Sequence, residues 1–473
     1  MKTLLRLYDT KSREVQTISS ADGKTVKIYC CGPTVYRDAH VGNLRTFLLS
    51  DLIVRTLSFR KIPVYLVQNI TDVGHMNENF VDGNLVESSE DKMVAEASKR
   101  QISALAIARE FENKFHEDLA LLNITPADLY PRASETIDLM VAAISKLIAS
   151  GNAYQGSDES IYFAANSFAD YGAISGNRLD ALKPGHRYEY VDDGAKRFHA
   201  DWALWKSAHN RTEMVWPTPW GEGFPGWHIE CSAMSLEYLQ GHVDLHLGGI
   251  DLRFPHHENE RAQSNSLLTD EEAVDHWVHG EHLLFEGRKM SKSSGNVVLV
   301  KDLITRGIDP LALRLCFLEN RYRSQMDLTW EAINAAHSVI QRWRARMSEW
   351  SESQSLDQEV IDREVEGMVA DFENDLDTPK VIQRLRAIEK DPELTSGCKR
   401  EIFARIDNLL GLELEREAVQ VEISPEVSEL LALREQARAQ KNYALSDQLR
   451  DKLLLLKIEI RDTAEGQKWE RIY

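Results

Sequence analysis

Apolar residues recur at helical spacing through NLRTFLLSDLIVRTLSFR, at Leu44, Phe47, Leu48, Leu52 and Leu57, and predict a helix. Continuous apolar runs flank it. TVKIYCC (25–31) reads as a buried strand, and IPVYLVQNIT as a second. Strand, glycine-containing loop, helix and strand form a βαβ unit, which predicts an α/β fold built on a parallel sheet. Residues from about 80 to 150 read as helical, rich in Ala, Glu and Lys. Residues from about 151 to 225 are irregular and rich in Gly, Pro, Trp and Tyr, the pattern of an insertion between two halves of the sheet. HVDLHLGGIDL (242–252) then resumes the sheet as strand and loop, and FPHHENERAQSNS follows as a helix. From about residue 330, long periodic segments such as AINAAHSVIQRWRARMSEW predict a helical bundle, with acidic connections near 352–366 and 412–426.

Length changes this picture first: 473 residues exceed one simple core, so two to four domains are expected. No apolar run approaches the ~20 residues of a membrane span. The opening MKTLLRLYDTKSREVQ lacks a signal peptide's apolar centre and small-residue cleavage site, so the expected location is cytoplasmic. Five scattered cysteines (Cys30, Cys31, Cys231, Cys316, Cys398) are not a disulfide framework. They predict reduced thiols with capacity for metal. A net charge of -19 argues against nonspecific nucleic-acid binding, although a local basic face remains compatible with it.

Two short stretches carry phosphate chemistry. His40-Val41-Gly42-Asn43 lies where the first strand hands over to the helix. Free N–H groups and the dipole at a helix start favour anionic oxygens. Gly42 allows close approach, and His40 and Asn43 each offer a donor. Alone, four residues are more often an ordinary turn with a capping Asn. The second stretch, EGRKMSKSSGN (286–296), spaces Lys289 and Lys292 among Ser291, Ser293 and Ser294, between Gly287 and Gly295. Such a loop is suited to polyphosphate and to charge building on a leaving pyrophosphate. A metal site is also suggested. On one helix, His256 and Glu260 share a face at i, i+4, and His257 with Glu260 at i, i+3 is almost as good. Spacing chooses neither between these histidines nor between Cys30 and Cys31. Strand alternation says only that the two cysteines point to opposite sides.

HVGN followed by KMSKS resembles the paired signatures of class I aminoacyl-tRNA synthetases. With YCCGPTVY, GWHIECSAM (226–234), FPHHENE (254–260), DWALWK (201–206) and the C-terminal KNYALSDQLRDKL, the chain resembles the cysteinyl-tRNA synthetase family nearly end to end. The resemblance implies a Rossmann-type catalytic domain over 1–330, with an insertion at about 110–225 and the lysine loop at 286–296. It implies a helical anticodon-binding domain over 331–425 and a small tRNA-binding extension over 426–473. In 431–473, nine basic residues stand against seven acidic ones, locally less acidic than the whole.

The resemblance also assigns residues. It implies one zinc ion on Cys31, Cys231, His256 and Glu260, with Cys30 left to packing. It implies an amino-acid site at Gly32, Thr34, Trp227 and His228, where Trp227 as plain core is an equal rival. It implies ATP contacts at His40, Gly42, Asn43, Gly248, Gly249, Asp251 and Lys292. The catalytic roles fall to His40, Asn43, Lys289 and Lys292, with Mg²⁺ accompanying ATP. The implied substrates are L-cysteine, ATP and tRNA(Cys), handled by a monomer with no membrane partner. Asn43 departs from the histidine that usually ends the first signature. Rival readings are a cysteine ligase acting on an amino-sugar, which resembles the chain only to about residue 340, and a nonenzymatic paralogue.

Overall fold

Val26, Ile28 and Cys30 join one buried cluster while Tyr29 and Cys31 join another. Alternate side chains of a strand therefore feed two cores, as in a parallel sheet covered on both faces. This strand, β1 (Val26–Cys30), leads through a loop into α1 (Val41–Phe59) and then β2 (Val64–Gln68). The sheet is completed by β3 (Val243–Gly249) and β4 (Val274–Gly280) in the order β4-β3-β1-β2, every pairing parallel. Leaving β2 on one side, the chain re-enters at β3 on the other side of β1. Strand order reverses there, and a ligand crevice opens at the strands' carboxyl ends. The computed structural model describes residues 2–73, 76–81, 84–182, 194–269, 271–290, 295–350, 356–417, 425–456, 458–463 and 466–471.

The helical periodicity of α1 is realised: Leu44, Phe47, Leu48, Leu52 and Leu57 are all buried. The stretch expected to be helical from about residue 80 begins instead with an antiparallel strand pair, Met76–Val81 and Asn84–Asp91. The sequence between them, Asp82-Gly83, is a hairpin signal that the Ala, Glu and Lys content of the following segment obscures. Helices Lys92–Arg100, Ala104–Leu121 and Ile137–Ala149 follow. The irregular segment to 225 contributes a five-stranded antiparallel sheet, with Trp202–Ser207 at its centre. The catalytic sheet then resumes with α2 (Trp227–Tyr238), β3 and α3 (His256–Leu267).

After β4, strands β5 (Leu283–Phe285), β6 (Arg288–Lys289) and β7 (Met326–Leu328) form a small sheet. Glu286 and Gly287 turn between β5 and β6 with φ of 51° and 74°. Four helices follow: α4 (Trp330–Glu349), α5 (Gln358–Glu373), α6 (Thr378–Lys390) and α7 (Ser396–Leu410). Thr329, Asp357 and Thr395 cap α4, α5 and α7 with side-chain oxygens. Their apolar faces join the same cluster as α1. The tail is not wholly helical. Helices α8 (Pro425–Ala439) and α9 (Tyr443–Leu455) pack with a hairpin of β8 (Ile458–Thr463) and β9 (Gly466–Arg471) around a separate small core. Ile458 and Ile460 alternate on β8, a period-2 signal hidden behind the Leu-rich end of α9. Among the described residues, no helix is long and apolar enough to cross a membrane.

Candidate active site

Both cysteines of the opening strand are buried, and the pleat separates them. Cys30 turns toward α1 and Ser50, and burial pushes its thiol up to about 12. It is packing material. Cys31 turns into the second core. Its Sγ lies 3.8 Å from Cys231 Sγ on α2, 3.7 Å from Glu260 Oε1, and 3.4 Å from both His246 Nε2 and His257 Nε2. His256 Nε2 is 2.9 Å from Glu260 Oε1, as an i, i+4 pair on α3 allows. Two overlapping ligand sets result: Cys31, Cys231, His256 and Glu260, or Cys31, His246, His257 and Glu260. Both share Cys31 and Glu260.

Either set fits a divalent cation such as zinc. A tetrahedron with metal–sulfur bonds of about 2.3 Å has a sulfur–sulfur edge of about 3.8 Å, the Cys31–Cys231 separation here. Glu260 is fully buried, and its Oε2 accepts no hydrogen bond among the described residues. Burial raises the Glu260 carboxyl and the Cys31 thiol well above their ordinary ranges, while the contact with Cys31 lowers the Cys231 thiol. Buried acids without a counter-cation resist ionisation, and a bound cation supplies the missing charge. Outer partners orient the rings: His228 Nδ1 is 2.9 Å from His256 Nδ1, and His257 Nδ1 is 2.8 Å from His279 Nε2.

Beside this cluster opens a cleft of about 210 Å³, lined by Cys31, Cys231 and His256 and also by Asn43. Gly32, Thr34, Trp227, Gly249 and Asp251 also line it. Trp227 is half-buried and stacks on His256 with centroids 4.2 Å apart, so it both walls the cleft and packs. Gly32 is required by close approach: a Cβ there would sit 1.6 Å from the Asn69 carbonyl oxygen. His228 is buried behind His256. At Gly248, the space a side chain would need holds the His257 ring.

At the helix start, His40 is the N-cap. Its Nδ1 accepts from the Asn43 N–H at 3.3 Å, and Asn43 Oδ1 accepts from the His40 N–H at 3.2 Å. This reciprocal box leaves the Asn43 amide nitrogen and the His40 Nε2 to act on a ligand. Burial, and then the charge of Arg37, lower His40 to about 4, so it is neutral near pH 7. The second signature approaches the same place. Met290 Cε lies 2.8 Å from the position a Gly42 Cβ would take, and the Val41 N–H donates to Val298 O at 3.0 Å. Arg45 fastens α1 to the strands that carry the lysine loop, donating to the carbonyls of Glu281, His282, Arg321 and Ser324. Lys289 is exposed on β6, outside the cleft lining. Lys292 lies outside the described residues.

Spacing alone had not pointed to His246, Asn69, Thr71 or Glu230. His246 alternates with Leu245 and Leu247 on β3, and that alternation is the signal that aims it at the cysteine side. Asn69 accepts from the Gly32 N–H at 2.8 Å and donates to Thr71 at 3.1 Å, and Thr71 donates to Glu230 at 3.1 Å. Asn69 and Thr71 share the loop after β2, but Gly32 and Glu230 lie on other segments, so no local motif marks the set.

The parallel sheet with its helix-start crevice and the helical region after it is the fold of class I tRNA synthetases. The solved Mycobacterium tuberculosis methionyl-tRNA synthetase in complex with methionyl-adenylate shares the fold, at a TM-score of 0.54 and 14% identity, over 89% of this chain and 96% of that one. Residues 17–338 match the family described as "tRNA synthetases class I (C) catalytic domain", and 420–469 match "Cysteinyl-tRNA ligase anticodon binding domain". The cysteine–tRNA ligase of Thermus thermophilus is 38% identical over 98% of this chain and 99% of its own. That of Treponema denticola is 34% identical over 99% and 100%. The chain belongs to the cysteine family of class I tRNA synthetases.

Proposed function

We infer that the protein is a cysteine–tRNA ligase that activates L-cysteine with ATP and passes it to the 3′ end of tRNA(Cys). The observation that carries this is one cleft lined both by Cys31, Cys231 and His256, of the cluster that Glu260 completes, and by Asn43 of the capped start of α1. The anticodon-domain match at 420–469 disfavours an amino-sugar ligase, which has no anticodon to read.

Cys31, Cys231, His256 and Glu260 would hold zinc, which when bound supplies a ligand site for the substrate thiolate and a poor one for a serine hydroxyl. That difference provides discrimination that pocket shape alone could not for so small a side chain. Gly32, Thr34, Trp227 and His228 frame the amino acid. Its carboxylate oxygen attacks the α-phosphorus of ATP in line. The bond to the bridging oxygen breaks, and the electron pair leaves with pyrophosphate. His40 and Asn43 donate to the phosphates, while Gly42, Gly248, Gly249 and Asp251 hold the nucleotide. Lys289 and Lys292 offset charge on the departing pyrophosphate, and Mg²⁺ accompanies ATP. A ribose hydroxyl of the terminal tRNA adenosine then attacks the adenylate carbonyl and releases AMP. Catalysis here is positioning and charge stabilisation, with no covalent enzyme intermediate. The α4–α7 bundle and the tail carry the tRNA, and the chain works as a cytoplasmic monomer.

The test is ATP–pyrophosphate exchange with cysteine and with serine, followed by tRNA charging. Exchange with cysteine alone, and charging of tRNA(Cys), is expected. Exchange without charging turns the reading to the amino-sugar ligase. No exchange with zinc present leaves a nonenzymatic paralogue.

A further inference from the structure

The cleft must hold a triphosphate and a carboxylate if the proposed function is correct, and the inference below rests on that reading. Among the described residues lining the cleft there is one arginine and no lysine: Arg37, in the β1–α1 loop. The carboxylates lining it are Asp38 and Asp251. Asp38 is already committed, with Lys301 Nζ at 2.7 Å and Lys114 Nζ at 3.9 Å. Arg37 has no ion pair among the described residues. Its guanidinium carbon lies 5.1 Å from the centroid of the Tyr36 ring, beside its own backbone.

The loop that presents Arg37 is held rather than loose. The Val35 N–H donates to Thr71 O at 3.1 Å, the Tyr36 N–H donates to Thr34 O at 3.1 Å, and Thr34 bridges to Thr71. Arg37 is thus offered three residues before the cap of α1. The capping pair at that cap, His40 and Asn43, contributes donors and no charge, since His40 is held neutral. The first turn of α1 contains no acidic residue to oppose an anion. The helix start therefore has direction without a full positive charge, and among the described residues lining the cleft Arg37 is the cation without an ion pair. A guanidinium is suited to phosphate because its planar fork offers two parallel N–H donors.

We propose that Arg37 binds the phosphate chain of ATP from the β1–α1 loop and stabilises the negative charge that builds around the α-phosphate as the adenylate forms. Arg37 neither gives nor takes a proton and forms no covalent bond. The bonds made and broken are those of the displacement at phosphorus described above. Its role is distinct from the one proposed for Lys289 and Lys292, which is to offset charge on the departing pyrophosphate.

The experiment compares wild type, R37M and R37K as full-length, zinc-loaded protein in cysteine-dependent ATP–pyrophosphate exchange, with ATP and cysteine varied separately. R37M keeps the apolar stem over Tyr36 and loses the charge. Its kcat/KM for ATP should fall on the order of 100-fold, the low end for losing one charge-stabilising donor. Zinc content and the KM for cysteine should stay unchanged. R37K should keep a larger share, as a point charge without the fork. Exchange by R37M equal to wild type overturns the proposal. So does a rise in the cysteine KM as large as the ATP effect, which marks a packing role. Normal exchange with lost tRNA charging also overturns it and moves Arg37 to the acceptor end of tRNA. No exchange by wild type sinks the function on which the proposal rests, and the proposal with it.

Discussion

Two histidines adjacent in sequence, His256 and His257, both reach Glu260, yet they are not equivalent. His256 Nε2 lies 2.9 Å from Glu260 Oε1 and His257 Nε2 lies 3.9 Å away. Cys231, a member of the first set only, has its thiol lowered and so is prepared to ligate. C231S and H256N should each abolish bound zinc, whereas H246N and H257N should retain about one ion per chain, read by atomic absorption after desalting. Zinc lost from the second pair and kept by the first would assign the ion to the other set. All five cysteines are buried, so an Ellman titration of the zinc-loaded protein should find no reactive thiol until denaturant is added. His40 sets a pH dependence. Its folded pKa of about 4 lies below the ordinary 6.5, so between these values the unfolded chain binds the extra proton. Stability contributed at this position is complete above pH 6.5 and falls as pH drops toward 4. Urea denaturation at pH 7 and pH 5 should show wild type losing on the order of 1 kcal/mol more than H40N. Equal losses would show that His40 titrates normally.

At the scale of elements, α1 is the shared part. Its start carries the His40–Asn43 capping box, Arg45 near that start holds the strands of the lysine loop, and Asp51 further along meets the fully buried Arg314. Arg314 also donates to the carbonyls of Leu122, Asn123 and Leu410, the last at the end of α7. Arg55 adds hydrogen bonds to Asp51 and Asn123. Removing one member of such a pair strands a buried charge. D51A should lower unfolding stability by about 3–5 kcal/mol, measured by chemical denaturation. A D51A/R314M double variant should recover part of that loss, because no charge is left unpaired. Failure to recover would place the energy in Arg314's carbonyl contacts instead.

On the scale of the whole molecule, catalysis and tail are built as separate cores. The bundle α4–α7 shares its apolar cluster with α1, whereas Val427, Leu431, Leu453, Ile458 and Ile460 form their own small cluster. A chain ending at residue 417 should therefore keep cysteine-dependent pyrophosphate exchange and lose at least about tenfold in tRNA charging. Charging by the full chain should weaken with salt more steeply than exchange does, since phosphate contacts release counterions. An equal salt response would argue against a tail that meets the nucleic-acid backbone.

The sequence by itself determined the βαβ start, the helical face of α1, the two signature stretches and the family. Each of these is written in periodicity or in short contiguous runs. It placed Cys30 and Cys31 on opposite faces through the period of a strand, although which one was expected to ligate a metal came from resemblance. Resemblance grouped Cys31 with Cys231 and Glu260, but only the tertiary structure gave their separations and added His246, because these sit on different elements with no common local pattern. It likewise decided that residues 84–91 are strand and that the tail closes on a hairpin. Pairing energy there comes from a partner strand, which no window of sequence contains. The same holds for Gly32, whose need for glycine comes from Asn69 on the neighbouring loop, and for Arg37, whose isolation shows only when the cleft is assembled around it.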